Sequence, residues 1–301
     1  MAKTKQGELE LSSIVGDLTF SKTDVWVWVK LPPTQYEFLD DDTRERLARE
    51  LDVALGNLVT SDEKNVEGHL IVSSKPFDAY SWIVALNNQA QGHDPRPYNS
   101  EFLTDMYNHV HYNDFREKLV ILGINIGKRI SYSATRSMTP GPFDKLINLV
   151  AAAPVEDYIS EKELAHWKAI ARQTSVALQQ SRIQAIPASA AELAYIVRKS
   201  FFPAMPSPTV EDLSVGASET WGEGEIASLV DSQIENKPKY LKITQEVEGQ
   251  TVEGYRATLC FSKFPEVINF PQQEPWIHYS SLLPFPVDFS LRFTLEPSRK
   301  V

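Results

Sequence analysis

A chain of 301 residues with 30 basic and 40 acidic side chains carries a formal charge of -10, spread over both halves. Such a surface repels phosphate backbones, and no local basic patch offsets it, so direct nucleic-acid binding is not expected. The apolar fraction of 42% is enough to close a core without staples. The one cysteine, Cys260, excludes a disulfide framework or a cysteine-built zinc site and reads as a small buried thiol. The segment MAKTKQGELELSS lacks the apolar stretch of a signal peptide, and no apolar run approaches the roughly 18 residues of a membrane span. The expected location is cytoplasmic, with docking on a membrane protein left open.

Alternation predicts a first strand over 25–31 (VWVWVKL), stopped by Pro32 and Pro33. A helix follows, with Asp42 and Glu45 at capping-box spacing and Leu47, Leu51, Leu55 and Leu58 on one face. Strand 66–73 (VEGHLIVS) comes next. Asp78 then caps a helix over 79–86, with Trp82, Ile83 and Leu86 expected inward. After the loop NNQAQGHDPRPYN, Phe102, Leu103, Met106 and Val110 restore a helical face, and KLVILGINIG (118–127) predicts a central strand.

This order predicts a layered α/β subdomain over 1–150, with a short helix at 143–150. Residues 151–301 are expected to hold two long helices and a mostly antiparallel β-rich subdomain, giving the α+β class. Ser160 with Glu163 and Ser189 with Glu192 repeat the capping-box signature. The first of these helices carries Leu164, Trp167, Ala171, Thr174 and Leu178, a thin stripe that predicts contact with a second subunit. The second buries Leu193, Ile196 and Val197. Turn-rich 203–224 predicts an exposed connector or hairpin arm containing Trp221. Strands are expected at 225–231, 239–244, 255–261 and 289–295, the middle two meeting at VEGQTVEG. The candidate interface residues are therefore Leu164, Trp167, Leu178 and Trp221.

No catalytic, cofactor-binding or metal-ligating residue is assigned. The nearest approach to a phosphate loop, Gly123, Gly127, Lys128 and Arg129, lacks one spacer and has arginine where the magnesium-binding hydroxyl belongs. It reads better as a strand whose glycines permit a bulge or close backbone approach. His109, His111 and Asp114 could gather a metal from an extended segment, but a helix C-terminus explains the histidines through its dipole. Asp40, Asp41 and Asp42 likewise suit a helix N-terminus. His69 and His278 have no sequence partner. Gly216, Ser218 and Glu219 build no nucleophile elbow. Trp26 and Trp28 alternate onto one face, expected to be core because a paired tryptophan surface would be a large exposed patch.

The ordered blocks VWVWVKLPPTQYEFLD, DEKNVEGHLIVSSKPFDAYSW, IPASAAELAYIVRKSFFPAMPSP, FPEVINFPQQEPW and LPFPVDFSLRF resemble the N-terminal half of the actinobacterial conjugation ATPases, similar to the TraC and VirB-type energy ATPases of type IV secretion systems. The resemblance runs from about Val25 to Phe293 as an ordered set, without a diagnostic motif. It implies an α/β region that docks the ATPase on inner-membrane secretion components, including a small PrgI-like membrane protein, and supports self-association. It places the chain in the cytoplasm, peripheral at the inner face of the membrane. ATP and magnesium belong to a RecA-like motor domain with Walker A and B motifs. Neither motif occurs here, so no nucleotide site is carried over, and the motor is expected downstream or on a separate chain. Two other functions remain open: a stand-alone scaffold or adaptor using the Trp167 helix or the Trp221 arm, and a small-molecule enzyme with dispersed carboxylates.

Overall fold

The computed structural model describes residues 10–32, 40–58, 65–91, 100–112, 115–129, 159–180, 184–202, 208–214, 219–247, 250–257 and 288–296. Five strands come from the first half: β1 (Leu11–Val15), β2 (Leu18–Ser21), β3 (Asp24–Leu31), β4 (Val66–Pro76) and β5 (Arg116–Lys128). The second half adds β6 (Ile186–Pro187), β7 (Thr220–Trp221) and β11 (Phe289–Leu295) to the same sheet. Its order is β11-β4-β5-β3-β2-β1-β7, with β6 beside β3, and every pairing is antiparallel. The fold is α+β, and its main sheet draws strands from both sides of residue 150.

The β1–β2 hairpin was not predicted. Val15 pairs with Leu18 across a two-residue Gly16–Asp17 turn, and Gly16 takes the positive φ of 60° that this tight connection requires. Ile14, Leu18 and Phe20 are fully buried, so the hairpin closes the sheet on that side. Strand β5 is central, as its apolar run predicts, with β3 on one flank and β4 on the other.

Strand alternation sorts the core into two layers. On one face Val25, Val27, Val29, Leu122 and Ile124 meet Trp167, Ala171 and Leu178 of a helix over Glu161–Gln180. Numbered in chain order, that helix is α4, after α1 (Asp41–Leu58), α2 (Ala79–Gln91) and α3 (Ser100–Tyr112). Helix α1 packs beside α4, contributing the fully buried Ala54. Its cap is Asp40, two residues ahead of the predicted Asp42: Thr43 N donates to Asp40 Oδ1 at 2.7 Å. Backbone hydrogen bonding from Thr43 holds the Asp40 carboxyl below its usual range.

The opposite face is covered by α5 (Ala190–Phe201), a helix buried almost all round. Its capping box forms as predicted, with Glu192 N donating to Ser189 Oγ at 3.2 Å and Ser189 N to Glu192 Oε2 at 2.9 Å. Glu192 also pairs with Lys30 of β3 at 2.6 Å. Around α5 stand α6 (Val210–Ser214), α7 (Glu223–Leu229) and a second sheet of β8 (Gln233–Asn236), β9 (Leu241–Val247) and β10 (Gln250–Arg256). Phe202 and Ile243 join that sheet to the helix, and Arg198 spans the junction to Leu229 O and Gln245 Oε1 at 2.7 and 3.0 Å.

Three expectations are corrected here. Residues 223–229 form a helix and not the strand predicted from 225, because Glu225 reaches back to Gly222 N at 2.7 Å and closes its first turn. The β9–β10 hairpin begins its second strand at Gln250, so VEGQTVEG is largely strand. Within 203–224, the described residues are not an exposed connector: Val210 and Leu213 are buried in the core, and β7 pairs with β1. The helix expected at 143–150, together with Cys260, lies outside the described residues.

Candidate docking surface

Lys199, Ser74 and Asp288 look most like a catalytic group. Lys199 Nζ lies 3.0 Å from Ser74 Oγ, donates to Ser74 O, and sits 3.1 Å from Asp288 Oδ1. Burial holds the lysine below its usual range, opposed by the Asp288 carboxylate. A lysine base must accept the serine proton, yet here the ammonium spends its three donors on three oxygens. Ser73 Oγ and Ser74 N also donate to Asp288 Oδ1, at 2.9 and 3.1 Å. Tyr195 Oη adds a bond to Ser74 O at 3.1 Å. The arrangement is a polar clasp that ties α5 to β4 just where β11 begins.

The glycines of the phosphate-loop lookalike have packing roles. A Cβ at Gly123 would stand 2.5 Å from the Trp28 ring, and one at Gly127 2.8 Å from Trp167. Gly127 has φ of 152° at the bulge where pairing shifts between Val25 and Trp26. Arg129 pairs with Glu163 at 3.5 Å. His109 and His111 both lie on α3 and not on the extended segment that the metal reading required. His109 instead meets Phe115, ring centres 6.1 Å apart; Asp114 is outside the described residues. Among those residues no cluster of three His, Cys, Asp or Glu could hold a metal ion.

Trp26 and Trp28 share one face, stacked at 6.0 Å. Trp28 is buried, its Nε1 donating to Thr19 Oγ1 at 2.7 Å, while Trp26 is half-buried. His69 lies 5.7 Å from Trp28 and bonds Ser290 Oγ at 2.7 Å. Burial, helped by the Arg292 charge, lowers its pKa to about 4.

The candidate interface residues are placed inside the molecule. Trp167 is 4% exposed and Leu178 fully buried, and Leu164 packs on the same cluster. The stripe expected to meet a second subunit is occupied by this chain's own sheet, because Gly127 opens a seat for the indole. Trp221 packs on the opposite core.

Exposed aromatic surface gathers instead on α2 and α3, which lie between β4 and β5 in sequence and pack chiefly on each other. Tyr80 is 70% exposed and Tyr112 81%, and Trp82, Phe102 and Phe115 are also exposed. Trp82 was expected inward. Helix α2 (AYSWIVALNNQAQ) has no charged side chain, and its large apolar residues surround the axis, so two half-buried residues toward α3 still leave others in water. That distribution was the overlooked signal. Helices α2 and α3 together form an arm, and at its root Phe77, Trp82, Val110, Phe115 and Arg116 line an open pocket of about 310 Å³. Phe77 N bonds Phe115 O at 2.9 Å, and the Phe77 and Trp82 rings meet edge to face at 6.0 Å. Among the described residues no helix is long and apolar enough to cross a membrane. Comparison of the sequence with protein-family models and with curated proteins gives no match.

Proposed function

We propose that this chain is the docking and assembly part of a conjugative type IV secretion ATPase, cytoplasmic and peripheral at the inner face of the membrane. Its partners are inner-membrane secretion components, including a small PrgI-like membrane protein, and a RecA-like motor domain. ATP and magnesium bind in the motor domain. The observation that carries the docking reading is the α2–α3 arm, which holds exposed aromatics on an uncharged helix away from the main core. Isolated apolar residues are normal on a surface, whereas a cluster of large ones marks an interaction site. The ordered sequence blocks that resemble the secretion ATPases support this choice of machine, and the lack of Walker motifs in these 301 residues supports the proposal of a separate motor domain.

The genes beside the one encoding this chain test the reading. A Walker-containing reading frame, fused or adjacent, together with genes for small membrane proteins of the secretion envelope, is the expected outcome. A neighbourhood with neither would leave a stand-alone adaptor, for which the same arm would serve as the contact surface.

A further inference from the structure

The second sheet ends on a strand with the features of a pairing edge. β10 (QTVEGYR) runs antiparallel to β9 from Gln250 to Arg256 in one unbroken register, and among the described residues nothing pairs with its outer edge. Natural sheets blunt a free edge with proline, lysine, a bulge or a very short strand. β10 has none of these, whereas β8 at the opposite edge has only four residues. The backbone N–H and C=O groups along such an edge are met by another extended strand.

The side chains of β10 specify which strand. Glu253 and Tyr255 share the outward face with Thr251. Tyr255, 56% exposed, meets the exposed Tyr240 with ring centres 5.6 Å apart. Glu253 accepts from Lys242 Nζ at 2.6 Å and from Tyr255 Oη at 3.3 Å. On the other face Val252 packs toward Phe202 and Ile243, Gly254 is buried, and Arg256 donates to Ser200 O. An antiparallel copy of this strand centred on Gly254 sets Tyr255 opposite Glu253 and Val252 opposite Arg256, each twice by symmetry. No like charges then stand opposite one another, and the two Tyr255 rings become diagonal neighbours within reach of each other. Centring on Glu253 would instead set two carboxylates face to face.

We infer that β10 pairs with β10 of a second copy of this chain about a two-fold axis at Gly254, joining the two three-stranded sheets into one. Such an interface is isologous and closes as a dimer. It buries the exposed tyrosines that the single sheet leaves in water. The inference stands on the second sheet alone and depends neither on the α2–α3 arm nor on the machine it serves.

The test is sedimentation velocity of the intact chain over a dilution series, beside Tyr255→Glu and a Glu253→Lys, Tyr255→Glu double variant. Both side chains are exposed, and thermal denaturation identifies the folded variants. The parent should form a dimer of twice the chain mass. Tyr255→Glu sets carboxylates opposite one another at two places and should raise the dimer Kd at least about tenfold. The double variant sets lysine opposite carboxylate and should recover the dimer. Disulfide trapping reads the register in otherwise unaltered chains: with Cys260→Ser throughout, a mixture of Glu253→Cys and Tyr255→Cys chains should crosslink faster than either alone. A parent that stays monomeric up to about 100 μM would overturn the inference. So would an unchanged Kd in a folded Tyr255→Glu variant, or Glu253→Cys chains that crosslink to each other faster than to Tyr255→Cys chains. None of these outcomes involves the secretion components, so the inference and the proposed function can fail separately.

Discussion

Trp28 fills the space that a side chain would need at Gly123. The two residues pair across β3 and β5, and a Cβ built on the glycine would stand 2.5 Å from the indole. Real contacts of that kind do not occur, so any larger residue must displace a buried ring bonded to Thr19 and packed near His69. Gly123→Val should destabilise the fold by about 1–3 kcal/mol through overpacking. The urea midpoint measures it, and an unchanged midpoint would show that the indole moves freely.

The clasp at Lys199 predicts a non-additive pair. Asp288→Ala leaves a buried ammonium without its carboxylate and should cost about 3 kcal/mol, at the low end because Asp288 is partly exposed. Adding Lys199→Met removes the charge and should restore at least half of that loss. If the double variant is no more stable than Asp288→Ala alone, the ammonium was not the source of the penalty.

His69 predicts a pH dependence with a definite sign. Its pKa falls from the ordinary 6.5 to about 4 in the fold, so between those values the unfolded chain binds the extra proton. Stability contributed by His69 is complete above about pH 6.5, is lost as pH falls toward about 4, and then levels off. His69→Gln should flatten the stability profile across that window. Coincident profiles of the two proteins, or an imidazole NMR midpoint near the ordinary value, would remove His69 as the cause.

Trp167 and Trp82 exchange the roles that their helical settings suggested. Trp167→Ala should cost about 3–5 kcal/mol as a core truncation and leave the state of association unchanged. Trp82→Ser, at a half-exposed side chain whose ring contact is with Phe77, should cost no more than about 1.5 kcal/mol. Calorimetry with light scattering separates the cases. A stable Trp167→Ala protein that loses an oligomer would return that helix to an interface.

Legibility in the sequence followed the strength of each local signal. VWVWVKL has the alternation of a strand and KLVILGINIG a short β-branched apolar run that favours one, and both became strands of the main sheet. Ser189 and Glu192 carry their structure in two side chains and formed the expected box. The β1–β2 hairpin was missed because its strands are short, although Val15-Gly16-Asp17-Leu18 holds the turn signal. EGEIASL was mistaken because Ile226 and Leu229 fit a helix and a short apolar run equally well. The exposed aromatic surface of α2 and α3 could not be read from an inward-facing assumption, since α2 is apolar on more sides than α3 can cover.

The central claim is that the α2–α3 arm docks this chain on a membrane component. The most direct measurement is co-purification of the tagged chain, in detergent, with each small membrane protein found encoded beside it, comparing the parent with a Tyr80→Ser, Trp82→Ser, Tyr112→Ser triple variant. All three side chains are exposed, so the variant should stay folded, which its melting transition checks. The account predicts retention by the parent and loss of retention by the variant. Equal retention by both, or none by a parent tested against every envelope component of the same gene cluster, would contradict it.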